Sequence, residues 1–255
     1  MTDLLQLRGI AKHFGGIQAL QGVSMSVPRG SLYGMIGPNG AGKTTLFNII
    51  TGFYRADTGQ MQLAGQDLPA SLGPEARVAL GIARTFQNIR LFSQMSVLDN
   101  VLVGRHRHTR SGLWAALLRT AAWRADESRQ RQAALHCLQR VGLAARAHDI
   151  AAALSYGEQR RLEIARALAT EPCLLALDEP AAGMNDAERA GLAELLLGLR
   201  ADGLTLLLIE HDMPLIMQLC DRVLALDFGE VVIEADPQSV RRHPRVIAAY
   251  LGEEA

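Results

Sequence analysis

Short apolar runs punctuated by glycine and proline occupy both ends of this chain, and a helical spacing fills the stretch between them. Residues 23–27 and 31–36, separated by Pro28 and Gly30, predict strands. Residues 43–50 predict a short helix, with Gly52 placed to terminate it. A further short strand is expected at 61–63, which makes the N-terminal part mixed and partly antiparallel. From about 87 to 169 the pattern turns helical: Ser96 with Asp99 signals one start, and a helix over 125–141 ends at Gly142. Two apolar runs, 173–177 and 204–209, then predict buried strands of a parallel sheet. Residues 187–199 supply a crossover helix between them, and 223–226 with 231–233 predict a hairpin across 227–230. No repeat, low-complexity tract or linker interrupts this order. The pattern predicts an α/β fold in one domain, a strand–helix core with an inserted helical lobe.

Composition narrows the reading. A length of 255 residues suffices for one large α/β domain. Apolar residues make up 49% but aromatics only 5%, which leaves the packing to Ala, Leu, Val and Ile. Lys plus Arg equals Asp plus Glu at 26 each, so the basic footprint of a nucleic-acid binder is missing. The only lysines are Lys12 and Lys43. Lys43 lies inside a glycine-rich loop, which suggests that an arginine would not serve there. Cys137, Cys173 and Cys220 are far apart, show no metal or CxxC spacing, and read as reduced thiols. The N-terminus resembles no signal peptide, and no apolar run approaches the roughly 18–20 residues of a membrane span. The expectation is a soluble, cytosolic chain.

Three segments carry chemistry. GPNGAGKTT comprises Gly37, Pro38, Asn39, Gly40, Ala41, Gly42, Lys43, Thr44 and Thr45, and it follows a predicted strand and opens a predicted helix. Its glycines let successive backbone N–H groups curl inward, and the helix N-terminus adds partial positive charge, which suits phosphate. Lys43 offers a compact charge for the β- and γ-phosphates, and the Thr44 hydroxyl suits Mg²⁺. LLALDEP ends an apolar strand in Asp178 and Glu179, a costly placement unless something cationic compensates it. Asp178 could hold the water shell of Mg²⁺, and Glu179 could act as general base toward water. LSYGEQRR contains Ser155 and Glu158 at capping-box spacing before a helix. Ordinary capping explains that spacing; a helix start offered to phosphate through the Ser155 hydroxyl and the Gly157 amide explains it too, and both readings stand.

Phosphate loop, Gln87, LSYGEQ, LLALDEP and His211 stand in the order and spacing of the ATP-binding cassette (ABC) ATPases, and the resemblance covers essentially the whole chain. It implies a P-loop NTPase fold with a mixed N-terminal β-subdomain, a parallel-sheet core and an inserted α-helical subdomain. The catalytic core would comprise 1–86 and 172–255, and the helical subdomain 87–171. The resemblance implies MgATP as ligand. It places Gln87 at Mg²⁺ and the attacking water, His211 at the γ-phosphate and paired with Glu179, and Phe14 against adenine, with a place on a core face as the alternative for Phe14. Residues 181–185 would form a loop crossing a dimer interface. Two such domains pair head to tail in this family, and residues 155–159 of each, Glu158 included, close on the other's nucleotide. Tyr156 and Glu158 stand where the broad family often has Gly and Gly or Gln, and AAGMN replaces its commoner interface loop.

Those departures point to a branch. RTFQNIRLFSQMSVLDNVLVGRH, LSYGEQRRLEIARAL, EPAAGMN, IEHDM and the ending VIAAYLGEE resemble the bacterial branched-chain amino acid importer ATPases, specifically the longer-lobed of two non-identical subunits. That resemblance implies a second ATPase subunit, two transmembrane permeases, a periplasmic solute-binding protein, and a cytoplasmic location peripheral to the inner membrane. RHRHTR at 105–110, followed by apolar 113–118, reads as a solvated loop, with a permease face or acidic lipid as the functional alternative. An ATPase of lipopolysaccharide export shares the YLGE ending, but IEHDM and AAGMN argue against it. A soluble ABC ATPase acting on DNA or ribosomes would carry a long coiled coil or a second cassette, and a metabolic kinase would lack LSYGEQ. No nucleic-acid partner is expected.

Overall fold

Runs such as LLALD and TLLLI have no polar side to turn to water, so they belong inside a sheet covered on both faces. That is where the computed structural model has them. It describes residues 2–109, 118 and 120–251. Arg110, the apolar stretch 113–117 and the final residues 252–255 lie outside the described residues. The chain divides into two compact units: Met1–Arg84, Cys173–Ala181 and Leu196–Ala255 form the first, and Thr85–Pro172 and Ala182–Leu195 the second.

Two sheets make up the first unit. The smaller joins β1 (Asp3–Phe14), β2 (Ile17–Pro28), β4 (Thr58–Leu63) and β5 (Gln66–Asp67) in the antiparallel order β2-β1-β4-β5. The larger is built from β3 (Leu32–Ile36), β6 (Ile82–Arg84), β7 (Leu174–Asp178), β8 (Thr205–Ile209), β9 (Arg222–Asp227) and β10 (Glu230–Ala235). Its order is β10-β9-β3-β8-β7-β6, parallel throughout except for β10 at the edge. In its register, Met35 of β3 lies opposite Ile209 of β8, and Ile209 opposite Asp178 of β7. The carboxyl ends of three central strands therefore coincide along one edge, the edge where parallel α/β sheets bind ligands.

Helix α1 (Lys43–Ile50) buries Leu46, Phe47, Ile49 and Ile50 in the core of this unit. Each such side chain contributes about 1.5–3 kcal/mol relative to exposure. Next comes α2 (Pro74–Ala79), with proline at its first turn. Its Arg77 is fully buried and donates to the Ile50, Leu72 and Pro69 carbonyls at 3.2, 3.4 and 3.3 Å. Burial lowers the pKa of that guanidinium to about 10, still far enough up to stay charged at neutral pH.

In the second unit, α3 (Val97–Arg105) starts at Ser96, whose hydroxyl accepts the Asp99 amide at 3.0 Å. It packs with α4 (Ala121–Arg140) and α5 (Tyr156–Leu168). The next helix, α6 (Asp186–Ala201), has its first ten residues in this unit. Three short helices, α7 (Met213–Leu219), α8 (Pro237–Arg241) and α9 (Pro244–Leu251), complete the first unit. No helix among the described residues is long and apolar enough to cross a membrane.

Strand β1 has no counterpart in the pattern of the sequence. Register shifts at Asp3/Leu5, Leu7/Ile10, Ile10/Lys12 and Lys12/His13 break the alternation that would have announced it.

Candidate functional site

The chain leaves β3 at Ile36 and turns through residues 37–42 before α1 begins. Gly37 sits at φ +149°, and a Cβ built there would lie 2.3 Å from the Leu226 carbonyl oxygen, so only glycine fits against β9. Gly42 caps α1 at φ 98° with no side-chain hydrogen bond, and no acidic residue stands in the first turn. The helix start is thus not neutralised by a carboxylate of its own, and its dipole is left to favour an anion. Lys43 is buried, and its ammonium donates to the Gly37 and Pro38 carbonyls at 2.5 and 2.9 Å. That closes the loop on itself and fixes the charge inside the turn. Asn39, Gly40 and Thr44 are exposed, Pro38, Gly42 and Thr45 are half-buried, and Ala41 is buried.

Two strands away, β7 delivers Asp178 and Glu179. Asp178 is buried and ion-paired with Arg84 at 3.1 Å, which supplies the cation that a carboxylate at this position requires. Arg84 also donates to Asn48 Oδ1 at 2.7 Å and Thr51 Oγ1 at 3.1 Å. Its guanidinium lies 4.7 Å from the ring centroids of both Phe47 and Phe53. Glu179 takes φ +47°, a left-handed backbone unusual for a side chain with a Cβ. Its amide donates to the Ile209 carbonyl at 2.9 Å, and its Oε1 is hydrogen-bonded to His211 Nε2 at 2.6 Å. Glu210, 4% exposed, accepts the Ala181 amide at 2.8 Å and the His211 amide at 3.3 Å. Burial pushes the Glu210 carboxyl above its usual range, against those two amides. Phe14, at the end of β1, is 42% exposed rather than on a core face. Tyr54 meets it edge-on at 5.3 Å, and the Lys12 ammonium is 5.3 Å from its centroid.

The second unit holds the other residues singled out in the sequence. Ser155 Oγ accepts the Glu158 amide at 3.3 Å, and Glu158 accepts the Ser155 amide at 2.8 Å. Both halves of a capping box are therefore present, and Arg146 donates to the remaining Glu158 oxygen at 2.9 Å. Gly157 is buried, and a Cβ there would lie 2.7 Å from Glu188 Oε1, so its side-chain-free face is needed by α6. Gln87 is exposed, while its backbone carbonyl accepts from Arg160. Arg84, Glu210, Glu188 and Arg160 escaped the sequence reading. The one available signal was charged residues set within apolar stretches, as in IAR at 82–84 and LLLIE at 206–210.

A family model described as ABC transporter matches residues 20–182, well over half of the chain. This chain belongs to the ABC transporter family. A second model, described as branched-chain amino acid ATP-binding cassette transporter, matches residues 231–255. The cassette is 43% identical over 251 residues to the high-affinity branched-chain amino acid transport ATP-binding proteins BraF of Pseudomonas aeruginosa and LivG of Escherichia coli K12, covering 98% of each chain. A probable LivG of Methanocaldococcus jannaschii is 33% identical over 255 residues, with 98% of both chains covered. Among solved structures, the ADP conformation of MJ1267, an ATP-binding cassette of an ABC transporter, matches with TM-score 0.87 and 32% identity over 99% of this chain and all of that one. The dimeric structure of MJ0796, a bacterial ABC transporter cassette, matches with TM-score 0.75 and 26% identity over 91% and 98%. Like its family, the cassette is an ATP hydrolase that drives transport.

Proposed function

We propose that this chain is the energy-coupling ATPase subunit of an importer for branched-chain amino acids or closely related small solutes. One observation carries the choice of solute. The C-terminal segment 231–255 fits a model specific to branched-chain amino acid cassettes, in a chain that aligns end to end with transport proteins of that name. The working assembly is a second ATPase subunit paired head to tail, two transmembrane permeases and, through them, a periplasmic solute-binding protein. The cassette is then peripheral on the cytoplasmic face of the membrane. Residues 1–86 and 172–255 act as catalytic core, and 87–171 as helical lobe.

The roles follow from the chemistry. Residues 37–45 bind the phosphates through backbone N–H groups, with Lys43 between β and γ. Phe14 stacks on adenine. Mg²⁺ suits the oxygen donors Thr44, Gln87 and Asp178. When bound, Mg²⁺ neutralises charge on the phosphates. Glu179 takes a proton from the water that attacks the γ-phosphorus, as an oxygen–phosphorus bond forms and the bridging one to ADP breaks. His211, bonded to Glu179, orients that carboxylate. Ser155, Gly157 and Glu158 serve the nucleotide held by the partner subunit.

The test is uptake of labelled leucine, isoleucine and valine in a strain lacking this chain. Uptake of all three should fall strongly in that strain and return with the intact gene. Unchanged uptake of all three, with another solute lost instead, would overturn the solute assignment.

A further inference from the structure

Three residues on one face of α5 converge on the backbone at Gln87. Tyr156, Arg160 and Glu163 are spaced i, i+4 and i+7, so they stack along a single stripe of the helix. Arg160 is 3% exposed and Glu163 2%. One terminal nitrogen of Arg160 donates to the Phe86 carbonyl at 2.8 Å and faces Glu163 Oε2 at 3.5 Å. The other donates to the Gln87 carbonyl and to the Tyr156 hydroxyl, the latter at 2.8 Å. Glu163 in turn accepts the Phe86 amide at 3.4 Å. Both polar groups of Phe86 and the carbonyl of Gln87 are thus held by one ion pair. The Tyr156 ring lies beside Gly183, 3.3 Å from a Cβ built there, while the residue as a whole is 42% exposed.

Burying an arginine and a glutamate is costly, and such pairs are poor sources of net stability. A planar guanidinium is suited to something else: it fixes several acceptors in one plane, as a lysine cannot. Here its backbone acceptors are the peptide groups that carry Gln87, a residue that is itself exposed.

We propose that Arg160, braced by Glu163 and Tyr156, is a positioning residue that locks the Gln87 backbone to the helix beginning at Ser155. Gln87 is then presented from a rigid base, and any movement of α5 is passed to it. This rests on Gln87 serving Mg²⁺, as proposed for the reaction.

The test compares Arg160→Lys, Gln87→Ala and the double variant in the full chain assembled with its partner subunits. Lysine keeps a charge for Glu163 but not the fork. ATP affinity by calorimetry should stay within about twofold. Turnover should fall about 10–100-fold in Arg160→Lys, and the double variant should be no slower than Gln87→Ala, because residues acting through one another are not additive. Tyr156→Phe, which leaves both charges in place, should fall less, about two- to fivefold. Amide exchange at Phe86 should speed up in Arg160→Lys while the amides within α5 keep their protection. Full additivity, or normal turnover in Arg160→Lys beside an impaired Gln87→Ala, would overturn the proposal. If Gln87→Ala itself turned over normally, the reading of Gln87 would fail instead. Phe86 exchange would then decide the clamp alone, unchanged exchange sinking it.

Discussion

Glu179 combines two features that seldom coincide by accident in a side chain at a strand end. Its backbone is left-handed, at a cost of order 1–3 kcal/mol, and its carboxylate is hydrogen-bonded to a histidine from the neighbouring strand end. The Ile209 carbonyl holds the Glu179 amide, and Glu210 holds Ala181 two residues on, so the turn is fixed on both sides of the carboxylate. Replacing Glu179 by Gln keeps the size and one hydrogen bond to His211 but removes the base. Turnover of the assembled ATPase should drop by about 10²–10⁴ while ATP affinity stays within a few-fold. Steady-state phosphate release and calorimetry measure the two. A variant with near-normal turnover would remove Glu179 from the chemistry.

At the scale of elements, two helix starts use opposite solutions. Helix α5 neutralises its own N-terminus with the Ser155–Glu158 box, whereas α1 has glycine at its cap and no carboxylate nearby in sequence. The obstacles that enforce glycine also differ. At Gly37 an added Cβ meets a backbone carbonyl of β9, which can move only with its strand; at Gly157 it meets the tip of the Glu188 side chain. Gly37→Ala should therefore destabilise by about 2–3 kcal/mol, and Gly157→Ala by about 1 kcal/mol or less. Chemical denaturation of the two variants tests the ranking, and equal losses would contradict it.

For the whole molecule, the consequence of the family assignment is concentration dependence. The phosphate loop and the Ser155–Glu158 helix start belong to different compact units of one chain, and on the proposed reading each serves a different nucleotide of a pair. Activity per chain should then rise with protein concentration in dilute solution and level off as pairing completes. A specific activity constant from nanomolar to micromolar protein would mean that a single chain suffices.

What the sequence determined by itself was local. The phosphate loop, the capping pairs Ser96–Asp99 and Ser155–Glu158, and the apolar strands β7 and β8 depend on partners three to six residues away or on a largely apolar run, and spacing along the chain records both. Even then β1 was lost, because its bulges erased the alternation that spacing needs. The tertiary structure decided everything that rests on strand order. Only with β3 beside β8 and β8 beside β7 do the turns after Ile36, Asp178 and Ile209 open on one edge. Arg84 reaches Asp178 across 94 residues of chain, and Arg160 reaches Gln87 across 73. Neither pair has a preferred spacing, since the chain between them can be any length that lets the strands and helices pack. The phosphate loop and the carboxylates at the end of β7 stand out in the sequence, whereas the partners that hold Asp178 and the Gln87 backbone, Arg84 and Arg160, come only from the fold.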